Sequence, residues 1–205
     1  MVKTDLPYKI YLAGDTVFWP DALERFGKMK AICREYGLHG VAPFDGQADV
    51  QDSSPGFETS MKIAAMDRSL MNECDAGVFC INPYRRAADM DPGTAVELGY
   101  MAAQGKPLAG YTDDGRLYTE KVKDYRATAW KDELVLRTAK GGSGSFEDAD
   151  GILVHSEGMY QNIMVEGFIR MSGSSVFVSK DSMDAFRMAI ADLKRLLSGH
   201  SQASK

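Results

Sequence analysis

The feature that most narrows the folds open to this chain is residues 75–82, DAGVFCIN, an almost unbroken apolar run of strand length. A strand with one wet face alternates polar and apolar residues. A strand covered on both faces shows no alternation, and such strands belong to parallel sheets packed between helices. The flanking segments agree: from 57 to 73, Met61, Ala64, Ala65, Leu70 and Met71 repeat at helical spacing, and the helical period returns after Pro92.

The same alternation runs along most of the chain. YKIYLAG (8–14) is a β-rich run closed by glycine, and PDALERFGKMKAICREYG (20–37) follows at helical spacing. GVAPF (40–44), KPLAGY (106–111) and SSVFVS (174–179) supply further strands, and Met183, Phe186, Ile190, Leu193 and Leu197 mark a last amphipathic helix. The expected fold is doubly wound α/β, flavodoxin-like or Rossmann-like, with a five-stranded parallel sheet and helices on both faces. At 205 residues this is one domain, taken as 1–199, with 200–205 as a flexible polar tail. The pattern weakens over 112–157, where WKDELVLRTAK suggests a small extra element and GGSGSFEDADG has linker composition; the stretch reads as an insertion. The polar loop 45–56, closed by Ser54, Pro55 and Gly56, is long enough to cover a site.

Composition removes several classes of function. A net charge of -5 and a pI near 5.3 leave no broad basic surface for a nucleic-acid backbone. No apolar run reaches membrane-spanning length and MVKTDLPYK lacks the apolar core of a signal peptide, so the expected location is the cytoplasm. Cys33, Cys74 and Cys80 form no C-x-x-C pair and lie in apolar stretches, as buried reduced thiols do. His39, His155 and His200 lack metal-ligand spacing. AGDTVF after the first strand has a single glycine and no phosphate-binding G-x-x-x-x-G-K-[ST] occurs, so neither a dinucleotide nor a triphosphate site is expected. No metal and no organic cofactor is implied.

In an open parallel sheet, ligands bind beyond the carboxyl ends of the strands. Acids follow those ends here: Asp15 after the first strand, Asp45 after the second, Asp89 and Asp91 after the third, then Glu97 within MDPGTAVELGYMAAQGKP. Several carboxylates are expected to face one crevice. Each also has a plainer reading. Asp91 before Pro92 is a good helix N-cap, Glu97 and Asp67 suit solvated helix faces, and Tyr11 suits the core.

IYLAG, Asp67 eight residues ahead of Asp75, DPGTAVELGYMAAQGKP and NIMVEG (162–167) together resemble the nucleoside 2-deoxyribosyltransferases. The resemblance covers roughly 8–111 and 159–197 and leaves the insertion unmatched. It implies that Glu97 is the nucleophile, that Asp91 contacts the base, that Asp67 is a further active-site acid, and that Tyr11 holds the nucleophile through its hydroxyl. It further implies that Asp15, Phe18 and Gly93 bind substrate, and that Asn162, with Met164 beside it, is lent to the site by a neighbouring subunit. The partners so implied are 2'-deoxynucleosides, free nucleobases and a second copy of the chain, in a dimer or a dimer-based assembly.

The residue types suit that chemistry. Without a 2'-hydroxyl the sugar C1' departs readily toward an oxocarbenium-like state, which a nearby carboxylate stabilises and captures. A second base attacking the glycosyl ester gives net retention, and water in its place gives hydrolysis. Two rivals use related scaffolds. A 2'-deoxynucleoside 5'-monophosphate N-glycosidase calls for serines where Asp15, Asp91 and Asn162 stand. A non-enzymatic receiver-like signalling module calls for a phosphorylatable aspartate at the end of the third strand, where Asn82 stands. The purine or pyrimidine preference depends on loops 45–57 and 83–90, and sequence alone leaves it open.

Overall fold

A computed structural model of the chain describes residues 7–46, 54–137, 145–155 and 158–203, with side chains through 199. Its central element is a five-stranded sheet built from β1 (Lys9–Ala13), β2 (His39–Val41), β3 (Ala76–Cys80), β4 (Leu108–Thr112) and an edge strand, Val176–Val178. Every pairing is parallel, and the edge strand, eighth in chain order, is β8. The order β2-β1-β3-β4-β8 puts the switch of direction between β1 and β3, where a doubly wound sheet opens a crevice. The covering loop expected over 45–56 falls largely outside the described residues.

Side chains alternate across the sheet, and each strand therefore feeds two cores. Ile10, Leu12, Val78, Cys80 and Tyr111 pack with α1 (Ala22–Glu35) and α6 (Ser182–Ala203) on one face. Tyr11, Ala13, Phe79, Ile81 and Leu108 pack with α2 (Phe57–Glu73), α3 (Pro92–Ala103) and α5 (Ile163–Met171) on the other. Phe79, Leu98, Phe186 and Leu193 are at most 1% exposed, and burying each such side chain contributes roughly 1.5–3 kcal/mol. The apolar reading of β3 follows directly, since all five of its residues are buried. α6 continues to Ala203, past Gly199, where the sequence reading ended the ordered domain.

At the end of β1 the chain passes so close to β3 that a Cβ on Gly14 would lie 2.6 Å from Cys80 Cβ, and its φ of +154° is one that L side chains rarely adopt. Glycine is required there. The short 3-10 turn Asp15–Phe18 then leads out over the crevice.

The insertion has more structure than its composition suggested. It carries α4 (Tyr118–Tyr125), a π-type turn over Arg126–Trp130, and a small antiparallel sheet of β5 (Val135–Leu136), β6 (Phe146–Glu147) and β7 (Leu153–Val154). Arg126 holds it together through Asp132 at 2.5 Å and Asp148 at 3.4 Å. It is also tied to the domain: the Tyr118 hydroxyl donates to Asp89 Oδ1 at 2.8 Å, and Lys121 Nζ donates to the Tyr160 carbonyl at 2.9 Å.

Candidate active site

The site is assembled around α3. Asp91 is its N-cap and Pro92 opens the helix, which satisfies the plainer reading of that pair. The cap is double: Asp91 Oδ2 accepts from the Thr94 backbone N–H at 2.8 Å and from Thr94 Oγ1 at 2.9 Å. Both residues are buried. Thr94 was not singled out from the sequence. Gly93 sits in the same turn, where a Cβ would come within 3.0 Å of Asp91 Oδ2.

Six residues after Asp91, Glu97 points inward toward β1. The Tyr11 hydroxyl donates to Glu97 Oε1 at 2.6 Å, a short, charge-assisted bond. Tyr11 is fully buried in the core while its hydroxyl bonds Glu97, so a core position and the contact that the resemblance implied coexist in one residue. Glu97 is half-buried. Its carboxyl is raised to about 7: burial is the main cause, the Tyr11 hydrogen bond works against it, and the charges of Asp67 and then Asp91 add to the rise. Burial, the Glu97 charge and the hydrogen bond to it all hold Tyr11 well above the ordinary phenol range, so the hydroxyl remains a donor. Asp67 comes from α2 and is half-buried, with Oδ1 shielded from solvent.

Asp15 and Phe18 occupy the turn after β1. Asp15 Oδ2 accepts from Trp19 Nε1 at 3.1 Å, and the Phe18 ring lies 5.5 Å from Tyr84 in the loop after β3. Tyr84 was not foreseen. Two acids of the sequence count are engaged elsewhere, which corrects the expected cluster. Asp45 accepts from the Ala42 N–H and pairs with Lys30 of α1, and Asp89 is taken by Tyr118 of the insertion. Position after a strand does not determine where a short side chain finds its donor.

Asn162 and Met164 stand apart from Glu97 within one chain. Asn162 is the N-cap of α5, its Oδ1 accepting from the Met164 N–H at 3.0 Å. The turn before it is braced by Glu166, fully buried, which accepts from the Tyr160 N–H at 2.7 Å and pairs with Arg170 at 2.5 Å. Asn162 and Met164 line a largely apolar cavity of about 370 Å³ between α3 and α5, walled on α3 by Pro92, Ala95 and Gly99. At 3.6 residues per turn these three lie roughly half a turn from Glu97. The two sets of residues therefore occupy opposite sides of one helix.

The three cysteines are buried, and burial pushes each thiol up to about 12, far from a reactive thiolate. Among the described residues no group of three or more His, Cys, Asp or Glu side chains is placed to hold a metal ion. No helix among them is long and apolar enough to cross a membrane. Asn82 accepts from Thr112 Oγ1 at 2.7 Å and from the Asp113 N–H at 3.0 Å, which ties the ends of β3 and β4 together.

Residues 10–164 match the family model for nucleoside 2-deoxyribosyltransferase. An uncharacterized protein of Schizosaccharomyces pombe is 63% identical over 198 residues, 95% of this chain and 94% of that one. Among solved structures, a 2-desoxiribosyltransferase from Leishmania mexicana superposes with a TM-score of 0.63 at 26% identity, covering 90% of this chain and 98% of that one. A conserved protein from Enterococcus faecalis shares the fold, with a TM-score of 0.54 at 18% identity over 91% of this chain and 98% of that one. The chain belongs to the nucleoside 2-deoxyribosyltransferase family and has its fold, and that family is enzymatic.

Proposed function

We propose that this family member moves the 2-deoxyribosyl group of a 2'-deoxynucleoside to another purine or pyrimidine base through a covalent ester on Glu97. The observation that carries the reading is the 2.6 Å bond from Tyr11 to Glu97 Oε1. It pins one carboxylate oxygen and leaves Oε2 to meet the anomeric carbon, beside Asp67 of α2 and Asp91 at the start of α3. The name of the Leishmania mexicana neighbour supports the same chemistry.

In the first half-reaction the C1'–N bond breaks as the C1'–Oε2 bond forms, and the base leaves carrying a proton. Asp91 is the group we assign to that proton. Its Oδ2 is committed to Thr94, which orients Oδ1 toward the base. Asp67 keeps Glu97 basic through its charge and takes the edge of the base or sugar. The second base reverses these steps from the same face, and two inversions give retention. Water in its place gives some hydrolysis. Asp15, Phe18 and Gly93 border the substrate. Asn162 and Met164 complete the sugar end of the site in a second copy of the chain, since within one chain α3 stands between them and Glu97.

The test is to incubate the protein with deoxyinosine and adenine, or thymidine and adenine, and to follow deoxyadenosine by chromatography. Deoxyinosine should be used and its 5'-monophosphate refused, because acids at positions 15 and 91 repel a phosphate dianion. Cleavage of the monophosphate alone would assign the protein to the N-glycosidases instead. A 2-fluoro sugar donor should label Glu97, and a label on any other side chain would remove the proposed nucleophile.

A further inference from the structure

The loop after β3 has a second side. Asp89 and Asp91 lie at its α3 end, and Arg85 and Arg86 project from its tip into a cavity of about 490 Å³ between this loop and α4. Arg116, Lys121 and Asp124 line the same cavity. Four cations against one acid is an unusual balance in a chain of net charge -5. Arg116 is already committed, to Asp114 at 2.7 Å and Asp124 at 3.0 Å. The Arg85 guanidinium rests over the Tyr84 ring at 4.7 Å. Arg86 has no ion-pair partner among the described residues.

The backbone adds a second sign. Arg85 and Arg86 hold φ of +51° and +62° in succession, a left-handed pair that side chains of this kind adopt at a cost. That conformation belongs to two adjacent residues that both line the cavity. On the opposite wall Lys121 is 2% exposed. Burial is the main cause that lowers its pKa, and an anion in the cavity would relieve it.

We propose that this cavity binds a phosphate-bearing small molecule through Arg85, Arg86 and Lys121, at a site separate from the crevice of Glu97. Paired guanidinium forks match the oxygens of a phosphoryl group, and a single carboxylate would leave much of the positive charge unanswered. The volume exceeds what a phosphate fills. The remaining wall, with Pro83, Ala87, Tyr125 and Ala129, suits a compact organic body such as a nucleoside. The loop that supplies the arginines runs into the N-cap of α3, and its far side is bonded to the insertion through Asp89 and Tyr118. An occupant of the cavity therefore bears on Asp91 through six residues of chain.

Isothermal titration of the full chain at low ionic strength provides the test, with pyrophosphate, adenosine 5'-monophosphate and adenosine as probes. The two phosphate probes should bind with Kd below about 1 mM and adenosine far more weakly, as charge-assisted contacts to phosphate require. Arg86→Gly should weaken the phosphate probes by about tenfold or more. Its melting temperature should hold or rise, because glycine accepts the positive φ. Arg85→Gln should weaken them in the same direction, and Glu97→Ala should bind them as the unaltered chain does, which keeps this site independent of the transfer reaction. Equal binding of adenosine and its monophosphate, or unaltered phosphate binding in both arginine variants, would overturn the proposal.

Discussion

The two sides of α3 differ in almost every physical respect. Toward β1 and α2 the helix presents Glu97 to a buried tyrosine, beside Asp67, with the capped Asp91 at its start. Toward α5 it presents Pro92, Ala95 and Gly99 to a mostly apolar cavity bordered by Asn162 and Met164. The first side has acids whose charges act on one another, and the second has small residues and exposed apolar neighbours on α5 such as Ile163 and Met164. On the proposed function, the contrast separates chemistry from recognition on one helix. It also explains why a motif as compact as D-P-G-T-A-V-E reads ambiguously in sequence: adjacent positions serve opposite sides.

The largest effect expected is on the charged side. Glu97→Ala should lower base exchange by roughly three decades or more, the scale on which loss of a nucleophile is felt, and should leave the far-UV circular dichroism spectrum unchanged. Wild-type turnover in that variant would mean that the Tyr11–Glu97 side is not where chemistry occurs.

Next in size is a test of whether the two sides meet between subunits. Asn162→Ser keeps an N-cap acceptor for α5 and removes the carboxamide, and misplacing the sugar end should cost roughly two decades in turnover. Mixing this variant with Glu97→Ala then distinguishes the geometries. If Asn162 completes a partner's site, random pairing into dimers restores about a quarter of the activity, because one of the two sites in each mixed dimer has both residues. Activity that stays at the level of the separate variants would place both residues in one subunit's site and contradict the shared arrangement.

A smaller effect is expected at Tyr11. Tyr11→Phe removes a hydrogen bond to a charged group, an interaction worth about 1.5–3 kcal/mol, and turnover should fall by roughly one to two decades. The pH profile carries more information than the rate. The Tyr11 bond is what draws the Glu97 pKa down against burial and the two aspartates. The acid limb of activity, expected near pH 7 in the unaltered chain, should therefore move to higher pH in the variant. A limb that does not move would mean that Tyr11 positions substrate and not Glu97.

Much of this arrangement was legible in the residues alone. Continuous apolarity marked β3 as doubly covered, the alternation of periods placed all five strands of the parallel sheet, and the helix beginning at Pro92 could be read from its cap. The resemblance pointed to Tyr11 and Glu97, and the fold brings them together. Sequence misread the features in which contact partners decide. Asp45 and Asp89 follow strand ends as site acids do, yet Lys30 and Tyr118, distant in the chain, claim them. The small sheet of the insertion was hidden because strands of two residues are too short to show any period. Thr94 and Glu166 were overlooked because a threonine and a glutamate on amphipathic helices read as ordinary surface residues until their burial is known.

The smallest effect separates the sides by stability instead of rate. The Glu97 carboxyl, raised from 4.5 to about 7 in the folded chain, binds its proton more tightly when folded than when unfolded. That preference stabilises the native state fully below pH 4.5 and is lost as pH rises through 7. At pH 8 the ionised side chain therefore costs stability, on the order of 1–2 kcal/mol once solvent screening of a half-buried group is allowed for. Glu97→Gln keeps an acceptor for Tyr11 and carries no charge at any pH. It should melt higher than the unaltered chain at pH 8 by about 2–4 °C, and the gap should close toward pH 4. On the α5 side no such pH-dependent gain is expected from Asn162→Ser, since neither residue titrates. An inactive Glu97→Gln that melts higher only at alkaline pH would show a carboxylate held under electrostatic load for its reaction. Equal melting temperatures at both pH values would mean that Glu97 is well solvated, and that the charged side of α3 is no more than a surface.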